Sequence, residues 1–131
     1  MPLQGFVFTI PTAAQVDIIT ANTATFQDAF QFGLSTDTWT FTGQSFEFTI
    51  KASRDDAANL AQWTSGAGQI VIDDAINRIL HMNVPESVIN GVPLQVGKYV
   101  YDLVMFDGSS PPIRTILMQG HLYITQGVGE S

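Results

Sequence analysis

LQVGKYVYDLVMFDG, residues 94–108, decides how the rest of this sequence is read. Tyr99 and Tyr101 sit two apart behind Gly97, a leucine stands three residues before that glycine, and Asp107-Gly108 reads as a turn. Side chains alternate between the faces of a strand, so Tyr99, Tyr101, Leu103 and Met105 share one face. Val100, Asp102, Val104 and Phe106 then share the other. The first set is suited to a core. The second is unusually apolar for a solvated face, so loops or another protein are expected to cover it. In the second case Val100, Val104 and Phe106 would be contact residues, and Asp102 would hold a backbone group or a cation.

Working outward, the same period of two recurs along the chain. GFVFTI aligns Phe6, Phe8 and Ile10; FQFGL aligns Phe30, Phe32 and Leu34; TWTFTG aligns Trp39 and Phe41. SFEFTIK sets Phe46, Phe48 and Ile50 against Glu47, Thr49 and Lys51. GQIVI and NRILHMNV read as a hairpin turning at DDAI, and IRTILMQGHLYIT follows KYVYDLVMF after DGSSPP, whose prolines can continue neither strand. Helix is expected only as short turns, in SRDDAANLAQW, where Ser53 would cap and Leu60 and Trp63 stand three apart, and in VPESVING. About eight or nine short strands spaced by turn signals predict a single all-β domain over residues 1–131, a sandwich or a barrel.

The crossing PESVINGVPLQVGKYVYDL, a leucine, then Gly97, then Tyr99 at the start of a strand, resembles the tyrosine corner of immunoglobulin-like antiparallel β-sandwiches. There the hydroxyl of a residue placed like Tyr99 folds back on the preceding turn. Tyr101 would point inward, where antibody domains carry their second cysteine, with Trp39 close by as the central core aromatic.

Composition bounds the chemistry. The 131 residues carry five Lys/Arg against twelve Asp/Glu, a net charge of −7. Affinity for nucleic acid rests on clustered cations, and Lys51, Arg54, Arg78, Lys98 and Arg114 are scattered in sequence, so no nucleic-acid partner is expected. Charged residues are only 13% of the chain, about half of the ~25% usual in soluble domains. The neutral surface this leaves fits contact with other subunits, and fits equally a monomer with a Thr/Gln-rich sheet. Cysteine is absent, which removes disulfides, thiolate catalysis and thiolate zinc sites. Neither a basic leader nor a membrane span is expected at the start.

No catalytic constellation emerges. His81 and His121, the only histidines, sit in strand-like ILHMN and GHLYI without a surrounding motif, and read as outward-facing residues. Asp55-Asp56 and Asp73-Asp74 lack the alternating oxygen ligands of a calcium loop and read as a helix start and a hairpin turn. GAGQ leads into a strand rather than a helix, so it is a turn, not a phosphate cradle. We therefore expect no catalytic residue, cofactor or metal.

In order along the chain, DTWTFTGQSFEFTIKAS, SGAGQIVIDDAINRILHMNVP and LQVGKYVYDLVMFDGSSPPIRTILMQGHLYITQGVG resemble small β-sandwich structural proteins of tailed bacteriophages. The resemblance covers roughly residues 36–129 and rests on W-x-F-x-G, G-x-I-x-I, G-x-Y-x-Y-D-L and a closing G-x-x-x-I-x-x-G-V. Gly129 departs from the threonine more common there, and the N-terminal part fits less well. The resemblance implies a non-enzymatic virion protein made in the host cytoplasm. It would be a tail, baseplate or fibre-attachment adaptor, homo-oligomeric in the particle and bound to other virion proteins. Capsid decoration is the alternative within virions. A carbohydrate-binding module stacking sugars on Trp39, Trp63 or Tyr123 is the alternative outside them.

Overall fold

The computed structural model describes residues 14–21, 24–33, 38–55, 58–91 and 96–126. The GFVFTI segment, Leu34, Asp56 and the closing GVGES lie outside them. Among these residues nine strands and one short helix follow in order: β1 (Ala14–Gln15), β2 (Ile18–Ala21), β3 (Ala29–Gln31), β4 (Ser45–Lys51), β5 (Ala61–Thr64), β6 (Ile70–Asp74), β7 (Ile79–Met82), α1 (Glu86–Gly91), β8 (Gly97–Phe106) and β9 (Arg114–Thr125). One sheet runs β1-β9-β8-β4-β5, with β2 also on β9; the other runs β3-β7-β6. This is an all-β sandwich in which two antiparallel-rich sheets pack together.

Alternation makes each central strand. Phe46, Phe48 and Ile50 of β4 and Tyr101 and Leu103 of β8 are buried, and they lie side by side in the antiparallel ladder. Phe48 stacks on Tyr101 at 4.8 Å and 6°, and on Trp63 of β5 at 5.4 Å and 15°. Phe26, held opposite Val84 by an isolated bridge, closes on Phe48 and Trp63 with centroids at 6.1 Å. Burying these four rings contributes several kcal/mol, since truncating one costs about 3–5 kcal/mol.

Two expectations are corrected. Residues 53–63 form no helix among those described: Leu60 donates its N–H to the Ile50 carbonyl at 2.7 Å, and Ala61 and Trp63 alternate inward along β5. Pairing with β4 outweighs the three-residue spacing of Leu60 and Trp63, because the strand register buries the whole indole. Trp39 is not the central aromatic. It stands half-buried at one end, edge-on to Phe41 at 5.8 Å, in a segment that forms no strand, and Phe48 and Trp63 occupy the centre. The remaining strand pairs are antiparallel, and β1 and β2 add to the large sheet parallel to β9.

Arg78 ties that end of the sandwich together. It takes a left-handed backbone conformation (φ 58°) in the β6–β7 turn and is buried to 1% exposure. Its guanidinium donates to the carbonyls of Phe32, Trp39 and Ile76 at 2.7–2.9 Å and lies 5.2 Å from the Trp39 ring centre. The buried charge is satisfied by hydrogen bonds to backbone oxygens, as such a group requires.

Candidate binding face

Strand β8 lies at the middle of the large sheet, and its two faces have different fates. On the inner face the Tyr101 hydroxyl donates to the Val16 carbonyl at 2.6 Å, where β1 passes into β2. Val16 donates its own N–H to Gln119, and the N–H of His121 donates to the Asp17 carboxylate. Between these two residues lies Gly120, opposite Tyr101 in the ladder. Burial, then the charges of Asp17 and Asp102, push the Tyr101 hydroxyl well above the usual phenol range, so it remains a donor. Tyr101 is thus architecture. Tyr99 is half-buried against the core, and the turn it would pin, residues 92–95, lies outside the described residues. Gly97 opens β8, paired with Ile124.

The outer face departs from expectation at two places. Val104 is buried to 1% exposure, although it lies apart from the main core cluster, so it is not an open contact residue. The ladder with β9 slips here: Leu103 pairs with Met118 and Val104 with Ile116, which leaves Leu117 as a bulge. A bulge bends and twists a pair of strands locally, and the regular alternation ends with it. Asp102 already has a partner in its own chain, for Arg54 donates to its carboxylate at 2.8 Å and reaches the Tyr101 carbonyl at 3.5 Å. Phe106 is half-buried, with the Arg114 guanidinium 5.5 Å from its ring centre. Val100 is half-buried in the cross-strand row Lys51–Val100–His121.

That row reveals a grouping invisible in sequence. Lys51, Arg54 and Lys98, three of the chain's five Lys/Arg, meet at one end of this face beside His121 and Tyr123. Lys98 lies 5.9 Å from the Tyr123 ring centre, and a shallow cleft of about 40 Å³ opens among Thr49, Lys51, Arg54, Val100, Tyr101 and Asp102. Asp102 and Asp17 offset part of the charge, so the patch offers a few placed cations around apolar and aromatic surface rather than a strong field.

Elsewhere, His81 Nδ1 lies 2.8 Å from Asp73 and His121 Nδ1 lies 3.6 Å from Asp17. Among the described residues no Ser or Thr hydroxyl is hydrogen-bonded to either imidazole, and no three His, Asp or Glu side chains group as a metal site. Trp63 is buried to 1% exposure and cannot stack on a sugar, while one side of Trp39 carries Arg78. No described helix is long and apolar enough to cross a membrane.

No protein-family model matches the sequence, and no curated protein matches it.

Proposed function

We propose that this protein is a non-enzymatic β-sandwich adaptor of a tailed-bacteriophage particle, on the tail, baseplate or fibre-attachment side, acting through protein contacts. The observation that carries the binding half of this reading is the outer face of the large sheet. Cations, an aromatic and Val100 are grouped there on rigid paired strands, with a cleft too small for most organic substrates. Interfaces favour such mixtures of aromatic, apolar and guanidinium groups, and many modest contacts repeated by symmetry make a stable assembly. The virion half rests on the sequence resemblance alone.

Immunogold electron microscopy of purified particles, with antibody against the recombinant protein and co-sedimentation as control, tests both halves. Gold at the neck, tail or tip is the expected result. Gold spread over the head would move the protein to capsid decoration, and failure to sediment with particles would overturn the virion reading.

A further inference from the structure

We infer that the cationic end of the large sheet receives the β6–β7 hairpin tip of a second copy of this chain, joining copies head to tail. The inference rests on the adaptor reading and names one of its partners. The Lys51 side chain has no ion-pair or hydrogen-bond partner among the described residues, and with Arg54, itself paired to Asp102, it lines the cleft beside Val100. The feature on this molecule that matches is the hairpin tip, where Ile76 is 64% exposed and Asp73 and Asp74 precede it. Asp73 also meets His81 and Asp74 accepts from Asn77, so the tip presents an exposed apolar side chain beside two locally held carboxylates, the complement of an apolar side chain beside cations.

The two features lie at opposite ends of the molecule. Ala75 in the tip accepts a hydrogen bond from Phe41 at 2.9 Å, and Phe41 accepts one from Gln44, the residue before β4. Lys51 is the last residue of β4, so the length of that strand, roughly 20 Å, separates tip from patch. A copy that places its tip on a neighbour leaves its own patch open, which is a heterologous contact. Such contacts close into rings or continue as filaments. In a chain of net charge −7, these opposed local charges set the register of a contact that overall repulsion otherwise resists.

Sedimentation velocity of the full chain, over a concentration series at low and high salt, reads the contact. Species larger than the monomer should grow with concentration and shrink with salt, as screening of exposed charges requires. Lys51→Glu and Asp73→Lys should each raise the self-association Kd by roughly tenfold or more. Their equimolar mixture should recover it, since each variant supplies the charge that the other now seeks. Circular dichroism checks both folds; should Asp73→Lys not fold, Ile76→Ser on the exposed tip replaces it and should weaken association similarly. A wild type that stays monomeric throughout overturns the inference, as does a mixture that associates no better than its components. A monomer that still labels particles with gold would overturn it while leaving the adaptor reading in place.

Discussion

Gly120 is the position where the protein has least room. A Cβ there would lie 2.1 Å from the Val16 carbonyl oxygen and 2.8 Å from its carbon, and both are backbone atoms that cannot swing aside. Gly120→Ala must therefore push the β1–β2 crossing off β9, and we expect it to cost about 2–3 kcal/mol, at the upper end for overpacking. Tyr101→Phe keeps the ring stacked on Phe48 but removes the hydroxyl from the Val16 carbonyl, at a cost of about 1–2 kcal/mol. Both act through the same carbonyl, so the double variant should lose less than the sum. Urea unfolding of the three variants measures this, and strict additivity would show that the two contacts are independent. The pattern G-x-Y-x-Y is enough to aim Tyr101 inward. Its partner is not legible, because Val16 lies 85 positions away and nothing local to either residue encodes their meeting.

Among the elements, β4, β8 and β9 are readable because each is a run of seven or more residues rich in strand-favouring side chains at the centre of a sheet. β5 reads as helix in sequence because a four-residue strand offers only Ala61 and Trp63 as its buried pair, too few to overrule the spacing of Leu60 and Trp63. The bulge at Leu117 escapes for another reason: in sequence β9 continues smoothly, and only its ladder with β8 reveals the extra residue that ends the alternation near Val104. The gathering of Lys51, Arg54 and Lys98 likewise depends on register between strands, which no single segment specifies. Within that gathering, the Arg54–Asp102 pair contributes little to the fold. Its side chains are 46% and 34% exposed, so solvent screens the attraction, and Asp102→Lys should change folding stability by less than about 1 kcal/mol. The same substitution frees Arg54 and alters the cleft, so on the proposed adaptor reading incorporation into particles should fall. Thermal melts and co-sedimentation separate these effects; a large loss of stability with normal incorporation would make the pair structural and remove it from the binding face.

At the scale of the molecule, two sheets depend on one aromatic core. Phe26 belongs to the side of the small sheet through its bridge to Val84, while Phe48, Trp63 and Tyr101 belong to the large one, and Phe26 meets Phe48 and Trp63 across the layers at 6.1 Å. Neither layer could bury its inner face alone: β3, β7 and β6 are three short strands, and a sheet so small needs a partner surface for stability. The sheets should therefore unfold together in one transition. Trp63 makes this measurable, because its indole lies in the joint and becomes hydrated when the layers part. In a Trp39→Phe variant, which leaves Trp63 as the sole indole, fluorescence and far-ultraviolet circular dichroism should trace one urea transition with a shared midpoint. If fluorescence changes first while most strand signal persists, the large sheet survives without the small one. The joint would then be a docking surface between two units, and the rigidity that the adaptor reading requires would have to come from the assembled particle.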